Sequence, residues 1–550
     1  MSETLSPTDH DDASSPRGPS AAESRADSAT AGPSTTLWSA LSGVLAAGAA
    51  LATGEVLSGL SKTIPSLVVG IAEIFTAETP GAVVRWSIET FGTSQKTLLV
   101  WGITIGSLVA GAILGMASRK RMWIGVAGFA AFGVVGGWAA ARAALSNNAL
   151  SWLSAILAAG VGIAVLRLLV GRLPFSPLPS GANPITGTED RRVFLGVAGG
   201  AAFWALFGTG LGRSLRLGHS VEGARERIAA DIGASPGAPG AAADAAVAGS
   251  LDSIDGVSSV ITPNDDFYLI DTAIRKPQID PATWSMKITG MVDNELEFTF
   301  DDLLAMDQIE EFITLSCVSN EVGGNLVGNA VWTGVPLATL LDMAGVQDGA
   351  TQIVGRSVDG WTGGFPTEIA FDGRPAMVAL TMNGEPLPVS HGFPARLVVP
   401  GLYGYVSATK WLAEVELTTW EDFDGYWITR NWGKEGPIKT QSRIDVPRSG
   451  QTVPAGPTAI AGVAWAPNRA VERVEIAVDG GDWIEARLSS DVSENAWRQW
   501  VVEYDAAPGD HTVQVRATDG EGDTQTSEVA RPAPDGATGW HTIEFRAESA

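Results

Sequence analysis

Five long apolar stretches between residues 36 and 211 constrain the fold of this 550-residue chain more than any other feature. They lie at residues 37–59, 98–117, 122–145, 150–170 and 193–211. Each is close to the roughly 20 residues that a helix needs to cross a bilayer. A buried soluble helix is the alternative for any one stretch, but five in succession, rich in Gly and Ala, favour a transmembrane bundle. We therefore predict an all-α transmembrane domain over residues 36–213.

The loops between these stretches predict how the domain is oriented, because Lys and Arg concentrate on the cytoplasmic side. The second loop contains three consecutive basic residues at 119–121, and the fourth contains Arg172, Arg191 and Arg192. The third loop is nearly uncharged. These patterns predict a multi-pass protein of the cell membrane with a cytoplasmic N-terminus, and they place everything after the fifth stretch outside the cytoplasm. A shorter run at residues 64–75, which contains Glu73, is expected to be interfacial or re-entrant.

The pair Arg191-Arg192 has a second interpretation. It precedes a Phe-Leu pair and a modest apolar stretch, which resembles a twin-arginine export signal. Two ordinary cytoplasmic arginines explain it equally well. Residues 1–35 are rich in Ser, Asp, Ala and Pro and predict a disordered cytoplasmic tail. Residues 214–250 predict a flexible linker with a short helix near residues 222–230.

Residues 251–443 alternate between strand and helix patterns without a repeating βαβ rhythm, which predicts an α+β domain. The only cysteine of the chain, Cys317, follows a predicted strand at 312–315. A lone cysteine is often a small buried hydrophobe. The alternative is a thiolate kept for a metal or for catalysis, and a position on a Gly- and Asn-rich loop at a strand end favours that alternative.

Five motifs in this domain occur in register: SCVSN at 316–320, NAVWTGVPL at 329–337, MNGEPLP at 382–388, HGFPARLVVPG at 391–401 and KW at 410–411. Together they resemble the sulfite oxidase family of molybdopterin-dependent oxidoreductases over residues 260–420. The resemblance implies a Mo-molybdopterin cofactor, with Cys317 as the metal ligand and catalytic residue, since a soft thiolate suits molybdenum. It further implies that the cofactor-binding residues are Asn264, Phe267, Tyr268, Cys317, Asp359, His391, Arg396, Ser407, Thr409 and Lys410.

The chemistry of these side chains suits an anionic cofactor. Arg396 offers a planar fork of donors and Lys410 a mobile point charge for a phosphate group. On their own, His391 could equally cap a turn and Asp359 could equally be a turn aspartate.

The sequence departs from the family on the substrate side. The family places an Arg-Asn-His run where this chain has Ile270-Asp271-Thr272, and a tyrosine expected after Asp359 is replaced by a Trp361-Thr362-Gly363-Gly364 run. Arg275, Arg356 and Arg374 are candidates to supply the missing charge. The cofactor is therefore better defined than the small-molecule substrate, and both sulfite oxidation and sulfoxide reduction fit an oxo-transfer centre.

Residues 444–550 contain short alternating strands near 459–465, 471–478, 482–486, 497–504 and 511–518, which predict an all-β immunoglobulin-like sandwich. It resembles the dimerisation domain of the same family, which allows a homodimer. A generic carbohydrate- or surface-binding module is the alternative.

Electrons must leave or enter such a centre through a partner. Covalent c-type haem needs a second cysteine, and the predicted spans contain no histidine for b-type haem. We expect a separate electron-transfer protein or a quinone. The formal charge of −25 argues against a nucleic acid partner. A non-enzymatic cell-surface receptor and a transporter are further alternatives, the latter weakened because Glu55 and Glu73 are the only acidic residues within the apolar runs.

Overall fold

A computed structural model describes residues 33–172, 188–233 and 241–549. Within these residues the chain forms two compact units. The first unit comprises the residues up to Gly54 together with Thr104–Val134 and Ile156–Gly210. The second unit comprises Glu55–Ile103, Val135–Ala155 and the residues from Leu211 onward. The predicted tail at residues 1–35 lies almost wholly outside the described residues.

The N-terminal part of the described chain is helical. The helices are α1 (Pro33–Leu60), α2 (Leu67–Glu78), α3 (Gly81–Phe91), α4 (Gln95–Ser118), α5 (Met122–Arg142), α6 (Asn148–Val170), α7 (Thr188–Leu217), α8 (Glu222–Gly233) and α9 (Ala241–Ala248). Five of them, α1, α4, α5, α6 and α7, contain segments long and apolar enough to cross a membrane. These coincide with the five stretches predicted from the sequence.

Small residues allow two of these helices in the first unit to approach closely. A Cβ on Gly43 of α1 would lie 1.9 Å from the main-chain oxygen of Gly111 on α4, and one on Gly115 would lie 2.2 Å from that of Ser39. Glycine at these positions lets the two backbones touch, a common way of packing helices in lipid.

The segment predicted to be a flexible linker is partly ordered within the second unit. Helices α8 and α9 lie within it. The amide of Val221 donates to Gln278 Oε1 at 3.2 Å, and Arg225 donates to the main-chain oxygen of Pro386 at 3.1 Å. Val221 is buried, and Ile228 packs against the core. Apolar residues spaced along this charged segment form the face of it that packs against the core. Composition alone did not indicate this packing.

The next part of the chain is β-rich. Its elements are β1 (Ser285–Gly290), β2 (Leu296–Thr299), α10 (Phe300–Ala305), β3 (Ile309–Ser316), β4 (Val327–Pro336), α11 (Leu337–Ala344), β5 (Gln352–Ser357), β6 (Thr362–Pro366), β7 (Met377–Met382), β8 (Glu385–Pro386), β9 (Arg396–Val398), α12 (Gly404–Ser407) and β10 (Leu412–Thr418). One sheet has the order β2-β1-β10-β5-β6, and in it β1 and β10 are parallel. The other has the order β3-β4-β7-β8, with β9 on β7.

The C-terminal part contains two further sheets. Its strands are β11 (Gln441–Val446), β12 (Thr452–Pro454), β13 (Gly456–Trp465), β14 (Val471–Val478), β15 (Trp483–Glu485), β16 (Arg487–Leu488), β17 (Arg498–Ala506), β18 (Gly509–Asp519) and β19 (His541–Glu548). The sheets have the orders β11-β13-β17-β16 and β12-β19-β18-β14-β15 and contribute to one core that includes Ile460, Trp500 and Phe545. These sheets begin at Gln441, slightly before the expected boundary at 444. The immunoglobulin-like assignment stays a prediction.

Candidate active site

Cys317 is the first residue after strand β3, where the chain turns into a closed loop. Its amide donates to the main-chain oxygen of Leu326 at 2.9 Å, and its own carbonyl accepts from the amide of Asn320. The side chain of Asn320 accepts from the amide of Leu326 at 2.8 Å and closes the loop from within. Cys317 is 8 % exposed. Burial raises the pKa of its thiol, against hydrogen bonds from Ser319 that lower it.

The far side of this loop is held by the C-terminal strands, a contact that the sequence did not indicate. The guanidinium of Arg443 on β11 donates to the main-chain oxygen of Gly324 at 2.8 Å. Gly323 has a φ of +75°, and a Cβ there would lie 2.2 Å from the His541 ring at the start of β19. Glycine is therefore required at 323 by both the backbone conformation and the neighbouring ring. The position of Cys317 depends on residues more than 100 positions further along the chain.

A second group of predicted residues surrounds His391. The His391 Nε2 lies 3.1 Å from the main-chain oxygen of Asn264, so that nitrogen carries the proton. The Asn264 side-chain oxygen accepts from Asn383 at 2.8 Å. The Phe267 ring meets the imidazole edge to face, with centroids 5.6 Å apart. Burial, together with the charges of Lys410 and Arg396, lowers the pKa of His391 to about 3. The imidazole is neutral at physiological pH, and its Nδ1 is left as an acceptor.

Arg396 is a buried cation without an acidic partner. It is 3 % exposed, stacks over the Trp332 ring at 5.0 Å and donates to the main-chain oxygen of His391 at 3.0 Å. No carboxylate lies within salt-bridge distance of it among the residues that the structure describes. Burial lowers the pKa of Arg396 to about 10. Because a buried, uncompensated charge is costly, this guanidinium is suited to an anion from outside the chain.

The charge of Lys410 acts on His391, as the charge of Arg396 does. Its ammonium donates to the main-chain oxygen of Ser390 at 3.0 Å and lies 3.2 Å from a carboxylate oxygen of Asp271. Burial lowers the pKa of Lys410 to about 8, against the Asp271 carboxylate, which raises it. Asp271 also binds Lys96 at 2.6 Å. Burial works to raise the pKa of Asp271, but the Lys410 and Lys96 ammonium groups hold it below its ordinary value. The sequence indicated Asp271 only as a departure from the family.

The segment before Lys410 contains two buried hydroxyl groups. Ser407 donates to the main-chain oxygen of Tyr403 at 3.2 Å. Thr409 is fully buried, and within the described parts of the chain its Oγ1 has no hydrogen-bond partner. A Cβ on Gly355 of strand β5 would lie 2.2 Å from that oxygen, so only glycine at this position leaves room for the Thr409 side chain. This hydroxyl is available to a group that binds there, as are several other buried hydroxyls elsewhere in the described chain.

Tyr268 and Asp359 occupy different surroundings. The Tyr268 ring stacks on Phe267 at 5.2 Å, and burial together with the Cys317 thiol raises the pKa of its phenol. Asp359 accepts from the amide of Trp361 at 3.0 Å, just before Gly360 with a φ of +86°. This is the turn role that we considered as the alternative for Asp359. Burial raises the pKa of its carboxyl.

A cavity of about 300 Å³ in the second unit adjoins this region. Its wall includes Thr272 and Ala273, directly after Asp271, and the turn at Asp359–Trp361. The charged side chains that line it are Lys62, Glu73, Arg216, Arg275, Lys276 and Asp359. Four positive and two negative groups make the cavity net positive in a chain whose formal charge is −25.

The structure distinguishes the three arginines considered on the substrate side. Arg356 forms ion pairs with Glu416 and Glu414 on the neighbouring strand. Arg374 pairs with Asp372 and donates to the main-chain oxygen of Pro400 at 2.7 Å. Arg275 alone lines the cavity, and the described residues place no carboxylate within salt-bridge distance of it.

The described residues contain no group of three or more His, Cys, Asp or Glu side chains that could hold a bare metal ion. Cys317 can offer one thiolate to a metal that an organic group carries. The unpaired guanidinium of Arg396, the Lys410 ammonium and the orphaned Thr409 hydroxyl fit such a group if it carries a phosphate.

Comparisons with known proteins agree with this chemistry. Residues 273–427 match the family described as the oxidoreductase molybdopterin binding domain. Human mitochondrial sulfite oxidase is 30 % identical over 318 residues, which cover 49 % of this chain and 58 % of that protein. An uncharacterized oxidoreductase of Bacillus subtilis is 32 % identical over 157 residues, covering 28 % of this chain and 76 % of that protein.

Among solved structures, the sulfane dehydrogenase SoxCD of Paracoccus pantotrophus is 25 % identical with a TM-score of 0.45, covering 53 % of this chain and 84 % of that one. The chain spans a little over half the length of the mammalian sulfite oxidases that it matches.

Proposed function

Because this chain belongs to the sulfite oxidase family of molybdopterin-dependent oxidoreductases, we propose that it transfers an oxygen atom to or from a small substrate outside the cytoplasm. Its cofactor is Mo-molybdopterin. When bound, that cofactor supplies the two-electron oxo-transfer chemistry, while the protein supplies binding, orientation and electrostatics. The observation that carries the assignment of residues is the buried, unpaired guanidinium of Arg396.

The basic pair is proposed to hold the cofactor's phosphate. Arg396 provides a rigid fork of donors, and Lys410 provides a point charge whose pKa of about 8 keeps it largely protonated at neutral pH. The Thr409 hydroxyl would complete its hydrogen bonding with the same group, beside the buried Ser407. This arrangement compensates the charge of Arg396, which the described residues leave without an acidic partner.

Cys317 is proposed as the metal ligand. Burial favours its neutral thiol in the cofactor-free protein, so metal binding must displace a proton. The loop around Cys317 is held at both ends by main-chain hydrogen bonds and by Arg443. A ligand on a loop constrained in this way needs little rearrangement to bind.

The remaining predicted residues are proposed to line the pterin. His391 is neutral, so it contributes a hydrogen-bond acceptor at Nδ1 rather than positive charge. Asn264 sets the orientation of that ring, and Phe267 packs against it. Tyr268 adds an aromatic surface. Asp359 is proposed to contact the pterin through its second oxygen, since the first closes a turn.

Membrane attachment is proposed from five helices that are long and apolar enough to cross a bilayer. The basic loops favour a cytoplasmic N-terminus and an extracytoplasmic catalytic domain in the cell membrane. If Arg191 and Arg192 form a twin-arginine signal, replacing both with lysine blocks export of the catalytic domain, whereas export by the same route would exclude that signal. The two C-terminal sheets are proposed to form an immunoglobulin-like dimerisation domain.

The substrate is proposed to be a small sulfur oxyanion or a sulfoxide. Both fit an oxo-transfer centre, and the Ile270-Asp271-Thr272 run provides no positive charge that selects the oxyanion. The full-length protein, purified in detergent, tests this by ferricyanide-linked oxidation of sulfite and by dye-linked reduction of methionine sulfoxide. Bound molybdenum near one atom per chain with turnover in either assay supports the proposal. Molybdenum-loaded protein that is inactive with both substrates would contradict it.

A further inference from the structure

We propose that the cavity between the ends of helices α1, α2 and α7 and the loop at 272–278 binds the head group of a quinone, which exchanges two electrons with the molybdenum centre. This inference rests on the proposed oxo-transfer function and deepens it, because it names the electron partner. It requires that the ligand come from the lipid phase and that the cavity offer both hydrogen-bond donors and a proton-exchanging group.

The sequence limits how electrons leave this chain. Cys317 is the only cysteine, and the five predicted spans contain no histidine. The chain therefore cannot attach c-type haem or hold b-type haem between paired histidines in these spans. Oxo transfer releases or consumes two electrons and two protons together, and a quinone carries that same set in one ring.

The cavity lies where such a ring could meet both parts of the second unit. On one side it is lined by Ser58, Ser66 and Val69, from helices α1 and α2 and the loop between them. On the other side it reaches Thr272, next to Asp271, which pairs with Lys410 of the proposed cofactor site. Its volume of about 300 Å³ is at the lower end for small-molecule sites, which suits one substituted ring.

The polar groups in the cavity match the two oxygens of a quinone. Arg275 and Lys276 are donors, and within the described chain neither has a hydrogen-bond or ion-pair partner. Glu73 on α2 likewise has no such partner in the described residues. The Trp361 and Tyr426 side chains line the same space and offer aromatic faces.

Glu73 is suited to exchange protons at neutral pH. Burial, together with the Asp359 carboxylate and against Arg275, raises the pKa of Glu73 to about 7. The other charged or titratable groups that face this cavity are Lys62, Arg216, His219, Lys276 and Tyr426. A carboxyl with such a pKa gives up or takes a proton with little free-energy cost in either direction.

The reaction balances with the quinone as oxidant. The substrate gains one oxygen atom from water, and the two electrons released reduce the ring. The two protons from that water appear on the quinol oxygens, one of them passed by Glu73, so that substrate, water and quinone give oxidised substrate and quinol. For a sulfoxide the same scheme runs in reverse, with quinol as reductant.

The test uses the full-length, molybdenum-loaded protein in detergent with decylubiquinone and menadione as probes. We expect turnover with at least one quinone, and saturable quenching of tryptophan fluorescence by the same quinone in cofactor-free protein. Glu73→Gln should lower the ratio of quinone-linked to ferricyanide-linked rate about tenfold and flatten its pH profile near 7. Arg275→Gln should raise the KM for the quinone about tenfold. Glu78→Gln, on the same helix but outside the cavity lining, is the matched control.

Two results separate this inference from the proposed function. Ferricyanide-linked turnover without quinone turnover or quinone binding overturns the quinone site and leaves the oxo-transfer function intact. Quinone binding without turnover of any electron acceptor overturns the proposed function instead. Equal loss of both rates in Glu73→Gln, with unchanged quinone binding, assigns the cavity to the substrate and also overturns the inference.

Discussion

The Lys410 ammonium lies 3.2 Å from the Asp271 carboxylate, and both side chains are about nine-tenths buried. Burial lowers the pKa of Lys410 to about 8, and Asp271 prevents it from falling further. Asp271 therefore keeps a positive charge available for a phosphate at neutral pH. The charge is thus controlled by a residue of the Ile270-Asp271-Thr272 run, which departs from the pattern that the family resemblance implies.

Asp271→Asn should make cofactor retention depend on pH. Without the carboxylate, the pKa of Lys410 falls below about 8, so the ammonium loses its proton within the physiological range. Molybdenum content after dialysis should fall several-fold between pH 6 and pH 8 in this variant, and much less in the unmodified protein. Lys96→Gln is the control, since it removes the other cation of Asp271 and leaves the Lys410 pair in place. Equal retention at both pH values would contradict the assigned role.

His391 should make the cofactor-free protein less stable in acid. Its folded-state pKa is lowered to about 3, so below about pH 6.5 the unfolded chain takes up a proton that the folded chain does not. The free energy of unfolding is therefore at its full value above pH 6.5. It decreases as the pH falls below 6.5, by up to about 1.4 kcal/mol per pH unit. The Tm of His391→Gln should therefore change less between pH 7 and pH 5 than that of the unmodified protein.

The control for His391 is His511→Gln. Hydrogen bonds to Ala507 and Asp479 raise the pKa of His511, which is the opposite direction. Replacing His511 should therefore not reduce the change in Tm between pH 7 and pH 5. Identical acid sensitivity in His391→Gln and the unmodified protein would show that His391 is not buried in its neutral form.

Thr409→Val separates cofactor binding from folding. The Thr409 Oγ1 has no partner in the described chain, so replacing it with a methyl group should leave the Tm of cofactor-free protein unchanged or slightly higher. Cofactor affinity should fall about fivefold, the effect of losing one hydrogen bond of about 1 kcal/mol. Thr381→Val is the matched control, since its hydroxyl is also buried without a partner but lies in strand β7. Equal cofactor content in both variants would remove Thr409 from the site.

Gly323→Ala tests how the C-terminal strands hold the Cys317 loop. A left-handed φ and the His541 ring both oppose a side chain there, so we expect a loss of about 1–3 kcal/mol and reduced molybdenum content. Adding His541→Ala should recover part of the molybdenum content. Gly373→Ala is the control, since its φ of +97° imposes backbone strain without a neighbour within 4 Å. Full molybdenum content in Gly323→Ala would show that the loop is not constrained from this side.

The sequence predicted those parts of the molecule that depend on local pattern. The apolar stretches identified the five spanning candidates, and the motif around Cys317 placed it at the end of a strand. Contacts between distant segments could not be predicted, because pattern carries no information on which surfaces meet. The Arg443–Gly324 contact and the ordering of helix α8 are of this kind. Similarly, the sequence did not distinguish Arg275, Arg356 and Arg374 as candidates. Only the fold shows which of them form ion pairs among the described residues.

X-ray absorption at the molybdenum edge tests the assignment of Cys317 most directly. The unmodified protein and Cys317→Ser, both loaded with cofactor, should differ by one sulfur in the first coordination shell, and the variant should lose turnover with any electron acceptor. The same number of sulfur ligands in both proteins, with turnover retained, would contradict the central claim that the Cys317 thiolate binds the metal.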